Sequence, residues 1–381
     1  MNIGFDAKRA YQNSTGLGHY SRTLISSLAE FFPENNYYLF APKITHTFNT
    51  TSFTNIHPVS PVHFPASFFK SMWRSNWVKK DLLQQHIDIY HGLSHEIPLG
   101  IANTRVRSVV TIHDLIFERY PEQYSAIDRI IYRKKFRYAC NHADKIIAIS
   151  RQTKQDIVDF YKIPEEMITV CYQSCNPAFN EIISEEKKEV IRQSYNLPAG
   201  FYLYVGSVIE RKNLMLVCKA IKQLDPALPL VVIGDGSVYK QKVKRFIGEN
   251  GLTDRVIFLS EKQSAKSSES YQSAVDFPAI YQMATAMIYP SIFEGFGIPV
   301  LEALCSRLPV ITSDVSCLPE AGGNAALYID PENENQLAEA MYAVANDMDL
   351  RNNMIEKGIS HSLNFTQQKC AEGVMNVYKT M

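Results

Sequence analysis

The stretch Tyr289–Thr312 reads YPSIFEGFGIPVLEALCSRLPVIT. It follows the apolar run Ala286-Met287-Ile288 and closes on the β-branched run Val310-Ile311-Thr312. Between them lie a glycine-containing loop and an apolar segment with Pro299 near its start, a residue that suits the first turn of a helix. Strand, loop, helix and strand in that order make one βαβ unit of a parallel sheet. Gly295 and Gly297 strip side chains from the loop, so its N–H groups can approach the oxygens of a ligand. Glu294 stands before the glycines and Glu302 after them, in the expected first turn of the helix. Acids at both ends with amides between suit a ligand that has hydroxyls at both ends and phosphates in the middle. A nucleotide sugar has that form: its sugar at Glu294, its diphosphate on the backbone of Gly295, Phe296, Gly297 and Ile298, and its ribose at Glu302.

The same rhythm runs along the rest of the chain. IGF, YYLFA, SVVTIHD and KIIAIS in the first half, and FYLYVG, PLVVIGDG, RVIFLS, AMIYPS and LPVITSD in the second, alternate with helical patterns. Such alternation predicts an α/β fold with parallel sheets covered by helices. A strand ends within MITVCYQ, Asn176-Pro177 turns the chain, and a charged helix leads to a second series of strands. The boundary is therefore expected at residue 176, giving two Rossmann-like domains over residues 1–176 and 177–364. The serine-rich segment 260–277 is expected as a long, mobile polar connection.

Bulk properties narrow the function. The chain has 381 residues, 46% apolar and 20% charged, with a net charge of zero, which excludes a nucleic-acid partner drawn by overall charge. The N-terminus lacks the order of a signal peptide, and no apolar run reaches the roughly 20 residues of a membrane span. A cytoplasmic protein is the expectation. Seven scattered cysteines without a CxxC pair read as reduced, buried thiols.

Other loops after strands carry further candidates. Gly16 and Gly18 precede an apolar helix whose start suits a phosphate, although Ser21 stands where a dinucleotide fingerprint has its third glycine. They are either donor-binding or simply turn-forming. His113 follows SVVTI and is either a ligand for a sugar hydroxyl or developing charge, with Asp114 orienting its ring, or a satisfied core histidine. His91 and His95 lack a third ligand at metal-binding spacing, so no metal site is assigned. Arg211 and Lys212 sit where a helix begins, a placement that opposes the helix dipole unless a diphosphate is bound there.

VGSVIERKNL, VVIGDG, YPSIFEGFGIPVLEA and PVITSDVSCLPEAGGNAALYIDP, in this order and spacing, resemble the second domain of the retaining GT-B glycosyltransferases of family four, the glycosyl transferases group 1. STGLGHYSR, TIHDL and IIAISRQTKQDI resemble the first domain of the same family, so the likeness extends over nearly the whole chain. The resemblance implies a GT-B architecture whose two sheets face a central cleft, with a last helix, about 365–381, that returns to the first domain. It implies a donor held mainly by the second domain: Arg211 and Lys212 on the diphosphate, Glu294 on donor-sugar hydroxyls, Glu302 on ribose. His113 would face the reacting sugar from the acceptor domain. It implies retention at the anomeric carbon with neither metal nor other cofactor. The GLGHYSR and ERKN variants resemble those of polysaccharide mannosyltransferases, which implies mannose from GDP-mannose and a glycan or polyprenyl-diphosphate-linked acceptor in cell-surface polysaccharide or lipopolysaccharide synthesis.

Two positions depart from the family pattern: Ser207 replaces a frequent arginine and Arg307 a frequent glycine. Ser67–Lys80 interleaves Phe68, Trp73 and Trp77 with Lys79 and Lys80, read either as peripheral contact with the inner membrane face or as a helix packing its aromatics inward. The basic helix DRIIYRKKFRYAC belongs to the same reading. Two other functions remain: a non-catalytic nucleotide-sugar-binding partner protein, and a nucleotide-sugar 2-epimerase on the same fold.

Overall fold

The computed structural model describes residues 1–13, 15–62, 66–225 and 228–381; Ser14, the first residue of STGLGHYSR, lies outside them. The chain forms two compact units, one of Met1–Ser174 with Phe365–Met381, the other of Cys175–Asn364.

The first unit holds seven parallel strands: β1 (Asn2–Asp6), β2 (Asn36–Phe40), β3 (Ile56–Val59), β4 (Ile89–Gly92), β5 (Arg107–Ile112), β6 (Lys145–Ala148) and β7 (Ile168–Val170), in the order β3-β2-β1-β4-β5-β6-β7. All of β4, and β5 from Ser108 to Ile112, is buried, as a sheet covered on both faces requires. Pro58 cannot donate to a ladder, and β3 accordingly lies at the sheet edge. The helix Gln367–Lys379 packs on the helix Gly16–Phe31 within this unit, burying Val374, Met375 and Tyr378.

The second unit holds six parallel strands: β8 (Tyr202–Val205), β9 (Leu230–Ile233), β10 (Val256–Phe258), β11 (Ala286–Tyr289), β12 (Val310–Ser313) and β13 (Leu327–Ile329), in the order β10-β9-β8-β11-β12-β13. The helix Leu214–Gln223 buries Leu214, Val217 and Ile221 against Tyr202, Leu230 and Val232, each aliphatic side chain contributing about 1.5–3 kcal/mol. In both units the strand order reverses, between β1 and β4 and between β8 and β11. Ligands of open parallel sheets bind at such reversals, beyond the carboxyl ends of the strands.

Three strands, β3, β4 and β13, escape the apolar runs read from the sequence. They are only three or four residues long, and the first two include His, Pro or Gly. The expected loop 260–277 is instead helical, with short helices Gln263–Ser267 and Glu269–Gln272 before Phe277–Met283. The Ser268 hydroxyl caps the second of them by accepting from the Tyr271 amide, and Tyr271 is buried. The aromatic-basic segment also differs from a simple amphipathic helix. A π-helical turn, Trp73–Trp77, interrupts it, and Trp73 is 1% exposed with its indole N–H donating to Asp81 at 2.5 Å. Arg74 turns inward to Asp6 at 2.5 Å and Glu96 at 3.0 Å. Trp73 is therefore a core residue and is withdrawn from the predicted membrane-contact set, whereas Phe68 and Phe69 are exposed.

Candidate active site

The loops after β8 and β11 flank the strand reversal of the second unit, and the chain brings Arg211, Lys212 and Glu294 together there. After β8 the backbone passes Gly206, makes a 3-10 turn over Glu210–Lys212, and enters the next helix through Asn213 at φ 57°. Gly206, at φ 137°, also makes room: a Cβ there would lie 3.1 Å from the Lys212 side chain, which folds back over it. The two loops are tied through their backbones, because the Ile292 amide donates to the Arg211 carbonyl at 2.8 Å. Arg211 also donates to the Phe293 carbonyl.

The Glu294 carboxylate is the centre of this cluster. Its Oε1 lies 2.9 Å from Arg211 Nη1 and 3.1 Å from Lys212 Nζ, and it accepts from the hydroxyls of Tyr289 at 3.0 Å and Ser291 at 2.9 Å. Lys212 donates in turn to the Tyr289 hydroxyl at 2.6 Å. Burial alone would raise the Glu294 pKa, but Lys212 and Arg211 outweigh it and hold the carboxyl down at about 2. The group is thus ionised throughout the neutral range. Its amide donates to Ser316 Oγ at 3.2 Å and its carbonyl accepts from Cys317 Sγ at 3.0 Å, which anchors the loop beneath it.

Gly297 adopts φ 101°, a conformation that favours glycine, and a Cβ there would come within 3.0 Å of Leu318. The following helix, Ile298–Cys305, starts immediately after it with Pro299 in its first turn. That start places Glu302 in the second turn, one turn later than expected, because the helix is already under way at Ile298, directly after the left-handed glycine. Glu302 Oε2 accepts from the Tyr281 hydroxyl at 2.9 Å. Burial dominates its ionisation and pushes its pKa up to about 7, against the opposing Tyr281 hydrogen bond and Lys212 charge. The two acids of one motif thus differ by environment, one paired with cations and the other sheltered beside a phenol. Phe296 is 2% exposed, so its side chain belongs to the core.

The remaining predicted residues lie in the first unit. Gly16 opens the helix Gly16–Phe31, and a side chain there would meet open space. Gly18 is different: a Cβ would lie 1.9 Å from the Asn13 carbonyl oxygen, and its amide already donates to Thr15 O and Asn13 Oδ1. Packing against the Asn13 turn by itself requires a glycine there. His113 is 6% exposed, with Nε2 donating to the Leu93 carbonyl at 2.9 Å and its ring edge-on to Tyr20. Burial lowers its pKa to about 4, so the imidazole is neutral near pH 7 and, with Nε2 protonated, offers Nδ1 as an acceptor. Asp114 Oδ1 accepts from the Ile116 amide. Both ring nitrogens of His91 are engaged, by Tyr378 at 2.6 Å and Thr111 at 2.8 Å, and His95 stacks on Phe136.

Arg307 takes φ 58° just beyond the helix Ile298–Cys305. Its amide donates to Leu304 O and that of Leu308 to Ala303 O, the Schellman pattern in which glycine is the usual residue. Sequence reasoning missed Tyr281, Tyr289, Ser291 and Ser316 as partners of the two acids. Tyr289 and Ser291 directly precede the loop and were findable there, whereas Tyr281 and Ser316 reach the acids only through the fold.

Comparison with known proteins bears on this arrangement. The Glycosyltransferase Family 4 profile matches residues 15–179 and the Glycosyl transferases group 1 profile matches residues 187–361. O-antigen chain mannosyltransferase B of Escherichia coli is 27% identical over 318 residues, covering 81% of this chain and 77% of that protein. The O-antigen chain mannosyltransferase RfbU of Salmonella typhimurium is 28% identical over 247 residues, covering 65% of this chain and 62% of that protein. The crystal structure of HepE from Anabaena in complex with UDP and glucose shares the fold, with a TM-score of 0.74 at 15% identity over 100% of this chain and 99% of that one. The chain belongs to the group 1, or family 4, glycosyltransferases, retaining and metal-independent enzymes of GT-B fold, and is distantly related to the O-antigen mannosyltransferases.

Proposed function

We propose that this enzyme transfers mannose from GDP-mannose, with retention, to a glycan or polyprenyl-diphosphate-linked acceptor in cell-surface polysaccharide synthesis. The reading rests on the convergence of Arg211, Lys212, Tyr289 and Ser291 on a single oxygen of Glu294 at the β8/β11 reversal. Among the described residues, those four contacts all meet Oε1, which leaves Oε2 to accept from donor-sugar hydroxyls. Arg211 and Lys212 with one carboxylate carry a net positive charge, which suits a diphosphate. Glu302 accepts from the ribose hydroxyls, with Tyr281 fixing its other side. The mannose assignment follows the O-antigen mannosyltransferases among the curated relatives; UDP in the HepE crystal makes UDP-sugars the alternatives to test.

In the proposed reaction the acceptor oxygen attacks the anomeric carbon on the face from which the diphosphate departs. The C–O bond to the diphosphate breaks as the new glycosidic bond forms, and the leaving oxygen takes the acceptor proton. Arg211, Lys212 and the loop amides stabilise the charge that collects on the leaving group. His113, neutral and with Nδ1 as acceptor, positions a hydroxyl of the reacting sugar.

A polyprenyl-linked acceptor places the reaction in the cytoplasm at the inner membrane face. Among the described residues no helix is long and apolar enough to cross a membrane. Peripheral contact is carried by Phe68 and Phe69 with Lys70 and Lys80, assisted by the exposed Ile127, Ile130 and Ile131 and the cations Lys134 and Arg137 of the helix Ala126–His142. Trp77 and Lys79 are half-buried and contribute at most their edges.

The test is a thermal-shift screen of GDP- and UDP-sugars followed by product analysis. A cognate donor raises the melting temperature through its affinity for the native state. Stabilisation by GDP-mannose and retained mannosyl product support the reading; no response to any nucleotide sugar would sink it.

A further inference from the structure

Seven free cysteines are buried, and two of them meet. Cys175 is the first residue of the second unit, and Cys305 is the last residue of the helix that carries Glu302. Their sulfurs lie 3.4 Å apart, with Cys175 donating its S–H to Cys305. That hydrogen bond lowers the Cys305 pKa and raises that of Cys175, which makes Cys305 the readier of the two to give up its proton. Burial pushes Cys140, Cys171, Cys218 and Cys370 up to about 12, which makes those thiols inert by comparison.

The surroundings link the pair to the donor acid. Glu302 and Cys305 are one helical turn apart on the same helix face. The Ser306 hydroxyl donates to the Phe179 carbonyl at 3.3 Å, the Phe179 ring meets the Tyr281 ring at 4.9 Å, and Tyr281 donates to Glu302. A disulfide needs about 2.05 Å between sulfurs. Closing from 3.4 Å therefore draws together the end of the helix that carries Glu302 and the segment whose Phe179 packs on Tyr281.

We propose that Cys175 and Cys305 form a thiol-oxidation site: hydrogen peroxide converts them reversibly to a disulfide, and the closure shifts Glu302 and weakens nucleotide binding. The Cys305 thiolate attacks a peroxide oxygen, the O–O bond breaks, and a sulfenic acid and hydroxide result. Cys175 sulfur then attacks the Cys305 sulfur and its proton leaves with the displaced hydroxide as water, so two thiols and one peroxide give one disulfide and two waters. A thiol reductant restores the dithiol.

The part concerning nucleotide binding rests on the donor-site reading above; the oxidation itself does not. The full chain is treated with hydrogen peroxide, digested without reduction, and its peptides are weighed, while GDP and UDP affinities are measured before oxidation, after it, and after dithiothreitol. The expected result is a linked Cys175–Cys305 peptide two hydrogens lighter than the separate peptides. Affinity for the nucleotide bound by the reduced protein should fall about tenfold and recover on reduction. Cys175→Ser and Cys305→Ala each abolish the link and the loss of affinity, and two variants guard against one failing to fold. Absence of the linked peptide overturns the proposal, as does a linked protein with unchanged affinity. If the reduced protein binds neither nucleotide, the donor-site reading fails, while the peptide masses still decide the oxidation site.

Discussion

Lys212 and Glu294 are joined twice, directly at 3.1 Å and through the Tyr289 hydroxyl, which accepts from the ammonium at 2.6 Å and donates to the carboxylate at 3.0 Å. Lys212 Nζ also lies over the Tyr289 ring, 4.8 Å from its centre. β8 and β11 are neighbours in the sheet, and their carboxyl ends deliver the two charges to one point. The site is thus pre-formed by topology.

Replacing Lys212 with alanine is expected to lower kcat about 10²- to 10³-fold, the usual effect of removing one group that stabilises leaving-group charge. Lys212→Arg is expected to restore little, because a planar fork cannot occupy the point between Tyr289 and Glu294. Steady-state kinetics with an intact circular-dichroism spectrum check this. Undiminished turnover in Lys212→Ala excludes the assigned role.

Glu294 gives an acid-side stability signature. Its folded pKa lies below its ordinary value of 4.5, at about 2, so its contribution is present above pH 4.5 and is lost as pH falls towards 2. The difference corresponds to about 3 kcal/mol. Glu294→Gln, which leaves Arg211 and Lys212 buried beside a neutral amide, is expected to cost about 3 kcal/mol at pH 7 and almost nothing at pH 2. Urea unfolding of both proteins at the two pH values measures the gap.

Glu302 works in the opposite direction. Its folded pKa is raised from 4.5 to about 7, so the folded state holds the proton more tightly and stability falls as pH rises from 4.5 to 7. Glu302→Gln removes this slope. Ribose hydroxyls need an ionised acceptor, so nucleotide affinity is expected to rise through pH 7 in the wild type and to be flat in the variant. Titration calorimetry between pH 5.5 and 8.5 reads both curves, and parallel curves would remove Glu302 from the ribose.

Much of this was legible in the sequence because it depends on local pattern. The strands β8, β9 and β11 are continuous apolar runs, and Gly297 and Pro299 mark a helix entry from composition alone. What stayed hidden depends on tertiary partners. Alternating aromatics and cations on 67–80 gave no sign of which face would be covered. Asp81 and Asp6, which hold Trp73 and Arg74 inward, decide that, and Asp6 comes from a distant strand. Similarly, EGFGIPVLE announced two acids, but their different ionisation comes from Lys212 and Arg211 on another loop, which hold Glu294 down, and from the burial that raises Glu302.

Arg307 is expected to be a stability liability. A non-glycine residue in the left-handed region costs about 1 kcal/mol, and Arg307 is exposed at φ 58° in a motif that favours glycine. Arg307→Gly should therefore raise stability by up to about 1 kcal/mol without altering kinetics. A rise in the urea midpoint with unchanged slope and kcat is the expected outcome; altered KM would place this cation in the site.

Membrane attachment separates the exposed residues from the buried ones. Phe68 is 79% exposed and Ile127 70%, while Trp73 is 1% exposed and held by Asp81. If the exposed set meets anionic lipid, Phe68→Ser and Ile127→Ser weaken sedimentation with phosphatidylglycerol vesicles while leaving the fold intact. Trp73→Phe acts through stability, because it leaves Asp81 without its indole donor. Binding should also fall as salt rises, since Lys70, Lys80, Lys134 and Arg137 supply the attraction and their field is screened within about 10 Å at 0.1 M salt. Vesicle binding that is indifferent to salt and to both serine substitutions would exclude this surface and leave a soluble acceptor as the substrate to pursue.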